Sequence, residues 1–285
     1  MKSLMSKLLI LTLLSSVTVF ARSEAKVEGN IVDYVKRAIN VNKDFQLKDV
    51  RIRQSKVLEK LPQWKVYFLD IDLKMMSKEK KGELMTVHDK IFSNGTFIVR
   101  DFINIVNKAS LKDKIAADLD DSFYTADHLL YGNADAKMKI VVFSDPICPF
   151  CQTYMPELIK AAKENPDKIA LYYYHFPLTL LHKEAPALIR TILVAEKKGI
   201  KNVVEKVYHS KFALNTADET KILEAFNKAL GTHITAAEIN APEIVAHYDN
   251  DIKSADKLMI SGTPTVYVNG KKDFSRNKYK TVIGK

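Results

Sequence analysis

Ile140-Val141-Val142-Phe143-Ser144-Asp145-Pro146-Ile147-Cys148-Pro149-Phe150-Cys151 is the stretch whose reading decides the fold, and it holds the only two cysteines of the 285-residue chain. Its apolar run from Ile140 to Phe143 reads as a strand. A helical pattern follows the cysteines, with Tyr154, Leu158, Ile159 and Ala162 on one face. A Cys-X-X-Cys pair between a strand and a helix start reads as a redox motif. The unpaired N–H groups and positive dipole end of a helix N-terminus favour a thiolate at Cys148, which therefore reads as the nucleophile. Cys151, one turn further in, reads as the more buried thiol that resolves the mixed disulfide. A structural disulfide across two residues would close a very small loop and stabilise little. A zinc half-site would need two more ligands, and the seven histidines show no motif spacing to supply them, so no metal is expected.

Working outward, the second informative stretch is Ser261-Gly262-Thr263-Pro264-Thr265. Proline cannot donate to a sheet ladder and is confined to an edge, a strand entrance or a bulge. Here it precedes the strand pattern Thr265 to Val268, as expected of a cis-proline loop facing the dithiol, with the Thr263 backbone offering hydrogen bonds to a substrate strand; an ordinary trans turn is the competing reading. Between the two stretches lie a β-rich run from Ile169 to Tyr174 and helical patterns near 183–198, 201–212, 218–229 and 242–258. Pro156 falls inside the helix that follows the cysteines, where a kink is expected. Asn269-Gly270 reads as a hairpin turn.

The runs FSDPICPFC, YYHFPLTLLH and SGTPTVYVNG, with helices inserted between the last two, resemble the DsbA-type thioredoxin fold of bacterial thiol:disulfide interchange proteins. The preceding helix-and-sheet stretch and the threonine before the proline are similar to DsbC and DsbG, the dimeric members. The resemblance implies an α/β (α+β) thioredoxin-like fold with a helical insertion at about 180–258. It implies Cys148 as attacking thiolate, Cys151 as resolving thiol, and Thr263 and Pro264 as the substrate-contact loop. Pro149, Phe150 and Asp145 are supporting positions, with Asp145 expected to cap the active helix rather than take part in proton transfer; His175 and Tyr174 are expected to be structural at the strand end rather than to act near the sulfurs. Phe150 brings no cationic side chain to the thiolate, so the couple is expected to be less oxidising than DsbA, within the span of about −120 to −180 mV between DsbA and protein disulfide isomerase. No cofactor beyond the Cys148–Cys151 disulfide is expected. The chain ends at Lys285, soon after the hairpin, without the C-terminal helix usual in this fold.

The first residues read as an export signal cleaved near Ala21 or, if uncleaved, an anchor. Lys2 and Lys7 form the positive region, Leu8 to Phe20 the apolar core, and Val19-Phe20-Ala21 the small-x-small site. That apolar core is short for a bilayer span, and no cysteine stands near it for lipidation. Export implies an oxidising compartment, read as the periplasm, where a dithiol can cycle. Without residues 1–21 the formal charge falls from +10 to +8. The lysines are scattered, Lys78-Glu79-Lys80-Lys81 being the densest patch, so they read as a solvated surface and no nucleic-acid partner is expected.

In the N-terminal third, Val27, Ile31, Val35, Ala38 and Ile39 recur at helical spacing. Leu47 to Ile52, Trp64 to Leu73, Leu84 to Phe92 and Thr96 to Arg100 read as strands, the last two joined at Ser93-Asn94-Gly95. Residues 22–107 read as a small domain, cystatin-like as in DsbC. Two roles fit it: a dimerisation module that holds two catalytic domains apart, or an accessory domain packed on its own catalytic domain. Leu111, Ile115 and Leu119 lie four apart, so 108–121 reads as a linker helix with Ser110 as its N-cap, and 122–285 as the catalytic domain. Two directions of electron flow are consistent with this layout. A disulfide isomerase would be kept reduced by a DsbD- or CcdA-like membrane protein; a dimeric oxidase would be recharged by a DsbB-like one. Either would act on cysteine-containing exported proteins as a homodimer, and a chaperone-like binding role could accompany both.

Overall fold

The computed structural model describes residues 23–39, 44–76, 82–210, 212 and 214–283. The expected export signal lies outside them. The chain divides into two compact units, Met1–Ile115 and Ala116–Lys285.

In the first unit a helix, α1, covers residues 23–39. It is followed by β1 (Phe45–Leu58), β2 (Leu61–Met75), β3 (Leu84–Ser93) and β4 (Ile98–Val99), an antiparallel sheet in sequence order. Ile31 and Val35 of α1 bury against Val50, Tyr67, Leu69, Ile71 and Ile91. The alternate residues Val66 and Phe68 are buried as well, so the middle of β2 reads as a continuous apolar run rather than a half-wet strand. Asp70 is tolerated in that run because Arg53 pairs with its carboxylate at 2.7 Å and the His88 ring lies 2.8 Å from its other oxygen. The expected turn after Ser93 differs in detail. It spans residues 94–97, only Gly95 takes a positive φ (+90°), and the Asn94 side chain accepts from the N–H groups of Thr96 and Phe97.

The expected linker helix over 108–121 does not form. Ser110 does accept from Asp113 N–H, but only a 3-10 turn follows, at Lys112–Lys114, and Ile115 is extended. The reason is competition for carbonyls: the Lys90 ammonium donates to the Lys112 and Ile115 oxygens. A helix would have used those oxygens four residues on. Leu119 instead runs extended, donating its N–H to Gly270 O.

The second unit carries a mixed sheet in the order β5-β7-β6-β8-β9. Its strands are β5 (Leu129–Tyr131), β6 (Met138–Ser144), β7 (Ile169–His175), β8 (Thr265–Val268) and β9 (Lys271–Lys272). β6 is parallel to β7 and antiparallel to β8. The crossover from β6 to β7 is α2 (Pro149–Glu164), which runs on through Pro156. The insertion consists of α3 (Ala185–Lys197), α4 (Val203–His209), α5 (Glu219–Leu230), α6 (Ala236–Ile239) and α7 (Pro242–Lys257).

From Ile140 to Phe143 β6 is apolar because both faces are covered. Ile140 and Val142 face α2 and the insertion, while Phe143 packs with Phe123 and Tyr174. Gly132, at φ +86°, sits so close to the Ile169 carbonyl that a Cβ would lie 1.8 Å from its oxygen. No other residue fits there. The turn at Asn269-Gly270 has both residues at positive φ, as read from the sequence. A short helix, α8 (Lys280–Ile283), follows it. Tyr279 beside it is buried against the same core as α2, so a residual C-terminal helix does exist where none was expected.

Candidate active site

The position of the dithiol follows from the pattern on α2. Cys151, Met155, Leu158, Ile159 and Ala162 form a stripe at helical spacing, and all are buried. Burying Met155, Leu158 and Ile159 contributes roughly 1.5–3 kcal/mol each, which fixes the rotation of the helix and carries Cys151 inward with it. Phe150 faces the other way and is 72% exposed. Cys148 is the N-cap residue, with φ −62° and ψ 122°, and Pro149 follows at the first helical turn. Proline suits that position because its missing N–H would have had no helical partner. Both thiols are free, Cys148 retaining 4% exposure and Cys151 none.

The expected substrate loop lies opposite. The Thr263–Pro264 peptide is cis, and Cys148 Sγ is 3.7 Å from Thr263 O. The structure thus brings Cys148, Cys151, Thr263 and Pro264 together. Burial pushes the Cys151 thiol up to about 12; the Ser144 and Thr263 hydroxyls and the Asp145 N–H pull weakly the other way. The Thr263 hydroxyl oxygen is buried and forms no regular hydrogen bond, yet it lies near enough to that sulfur to favour its thiolate.

Asp145 belongs to the site in a different role from the expected one. Cys148 itself occupies the N-cap, three residues on, so the Asp145 carboxylate does not cap α2. It is fully buried and accepts from Ile147 N–H (2.8 Å), Leu178 N–H (2.8 Å) and the His182 ring (Nδ1, 2.8 Å). It therefore ties the approach to the dithiol to the loop that leaves β7. That loop presents Leu180 (96% exposed) and Leu181 (71%), so apolar side chains stand in water near the dithiol on more than one segment.

Three further groups near Cys151 were not legible in the sequence. Ser144 Oγ lies 2.7 Å from Tyr208 OH, and Tyr208 OH lies 2.8 Å from Tyr173 OH. All three are buried, and burial holds both phenols well above their usual range, so they are neutral hydrogen-bonding groups. Tyr208 comes from α4 of the insertion, 64 residues from Ser144. Of the residues expected to be structural, Tyr174 donates to Phe123 O. His175 is buried; burial lowers its ring to about 4, so it is neutral at ordinary pH.

The thioredoxin family matches residues 124–283, more than half of the chain. Among curated proteins, a Na(+)/H(+) antiporter, NhaA 1, of Mycolicibacterium gilvum is 24% identical over 145 residues; the match covers 50% of this chain and 23% of the antiporter. A probable disulfide bond formation protein D of Bacillus cereus is 26% identical over 148 residues, covering 49% of this chain and 68% of that protein. Among solved structures, a thioredoxin-like oxidoreductase from Silicibacter pomeroyi is 24% identical at a TM-score of 0.46, over 54% of this chain and 87% of that one. With a strand-to-helix dithiol facing a cis-proline loop, and with this match over residues 124–283, the chain belongs to the thioredoxin family.

Proposed function

We propose that this protein is a periplasmic disulfide isomerase or interchange catalyst of DsbC/DsbG-like organisation, acting on exported proteins through its Cys148–Cys151 dithiol. The observation that carries this is the placement of Cys148 at the N-cap of α2, 3.7 Å from the Thr263 carbonyl. The helix start favours the thiolate, and the Thr263 backbone is available to a client strand. The Cys148 thiolate attacks a client disulfide; a Cys148–client S–S bond forms and the other client sulfur leaves as a thiolate. A second client thiolate then displaces Cys148, leaving a rearranged client disulfide. Alternatively Cys151 attacks Cys148 Sγ, and the client leaves reduced by two electrons while the Cys148–Cys151 disulfide forms. Exposed Phe150, Leu180 and Leu181 suit clients that are not yet folded and still show apolar side chains.

Isomerase action needs a reduced resting pool, hence a DsbD- or CcdA-like electron donor. The second reading is an oxidase recharged by a DsbB-like partner, and the printed name of the Bacillus cereus relative, disulfide bond formation protein, favours it. Rapid acid quenching followed by alkylation of cells separates the two. A mainly reduced protein, together with recovery of activity from scrambled ribonuclease, is the expected result; a mainly oxidised pool transfers the assignment to the oxidase. The periplasmic location rests on the N-terminal signal pattern. Among the described residues, no helix is long and apolar enough to cross a membrane.

Residues 22–107 are assigned to dimerisation. Among the described strands β1 pairs only with β2, so it is an edge strand of that sheet, the kind of element onto which a second copy adds. Light scattering should give a dimer for the full chain and a monomer once 22–107 are removed. A truncated chain that still dimerises would take this role away from the module.

A further inference from the structure

A second cluster of reactive side chains lies at the end of β7, apart from the dithiol. His128 ends a 3-10 turn at Ala126–His128. His247 and Asp251 are one turn apart on α7, so they share a face. One ligand atom from each of the three lies within 4.8 Å of the others. His128 Nε2 is 2.7 Å, and His247 Nε2 4.0 Å, from the same oxygen, Asp251 Oδ1. The His128 and Asp251 side chains are 6% and 0% exposed. A cavity of about 570 Å³ opens onto His128, His247 and His175. The Nδ1 atom of His175, a residue only 3% exposed, is buried there with no hydrogen-bond partner.

We propose that His128, His247 and Asp251 form a Zn²⁺ site that fastens α7 of the helical insertion to the 3-10 turn before β5. Two imidazoles and a carboxylate suit zinc; calcium and magnesium prefer all-oxygen shells. Tetrahedral zinc with bonds near 2.0–2.1 Å sets its ligand atoms about 3.3 Å apart. The observed 2.7 and 4.0 Å separations bracket that spacing, so small side-chain rotations complete the shell. The outer contacts fit as well. Thr125 Oγ1, 2.6 Å from His128 Nδ1, can accept that ring's N–H and leave the Nε2 lone pair directed inward. Asp251 Oδ2 accepts from the His175 backbone N–H at 2.9 Å, which leaves Oδ1 for the metal. The sequence hides this set because His128 and Asp251 are 123 residues apart.

The test uses the full-length, tag-free chain with Cys148 and Cys151 oxidised, so that the dithiol cannot bind metal itself. Calorimetric titration with zinc chloride should give one equivalent per chain, and zinc should raise the melting temperature. His247→Ala, at a side chain one-third exposed, should keep its circular dichroism spectrum and weaken zinc binding by about 10–100-fold or more. His247→Gln, closer in size, should do the same. His209→Ala and His233→Ala, at exposed histidines, should bind as the wild type. No zinc uptake by the oxidised wild type, or unchanged affinity in both His247 variants, overturns the site. Exchange activity is not the readout, so this result stands apart from the redox assignment.

Discussion

Cys148→Ala is expected to remove thiol–disulfide exchange altogether, while Cys151→Ala accumulates covalent complexes with clients. The asymmetry follows from geometry. Cys148 is the only sulfur of the pair with residual exposure, and it faces the Thr263 carbonyl across the cleft. Losing a nucleophile removes the covalent route itself, and the one cysteine that remains, Cys151, is fully buried. Without Cys151 the first attack proceeds, but the enzyme cannot release its client by forming its own disulfide. Non-reducing gels after incubation with a reducible client read both outcomes. Exchange by the Cys148→Ala variant, or mixed disulfides formed through Cys151 in that variant, would reverse the roles.

The second large effect concerns the ionisation of Cys151. Burial raises its thiol to about 12, whereas an unperturbed cysteine titrates near 8.5. Only the thiolate reacts with alkylating agents. In the Cys148→Ala variant at pH 7, iodoacetamide should therefore modify Cys151 about three orders of magnitude more slowly than a free cysteine. The sign of the pH dependence is diagnostic. For a free thiol the rate levels off above about pH 8.5; for Cys151 it should keep climbing about tenfold per pH unit through pH 10. Mass spectrometry of timed samples measures both quantities, and a plateau near pH 8.5 would show that the thiol is not held neutral by its surroundings.

How far the fold could be read in advance depended on where the deciding contacts lay. β6, β7 and β8 were legible because buried strands read as short apolar runs bounded by turn residues. The cis-proline loop was legible because Thr263-Pro264 stands at a strand entrance. The turn between β1 and β2 was not: Glu59-Lys60 carries no glycine, asparagine or proline to mark it. Helix α6 did carry a mark, the Thr235–Glu238 capping box, although its four residues bring little periodicity. The helix over 108–121 was misread because its apolar spacing was right while its carbonyls were taken by Lys90, a residue outside the segment. Within the site, both sulfurs came from spacing alone. Tyr208 and His182 did not, because their partners Ser144 and Asp145 are 64 and 37 residues away and meet them only once the chain is closed.

The Ser144–Tyr208 contact means that the helical insertion supplies part of the surroundings of Cys151, the resolving sulfur. An engineer who transplanted a foreign insertion onto this scaffold would change the chemistry along with the client surface. Ancestry and reactivity are joined here through one phenol, and a chimera that kept every residue of the Cys-Pro-Phe-Cys segment would still inherit a different enzyme.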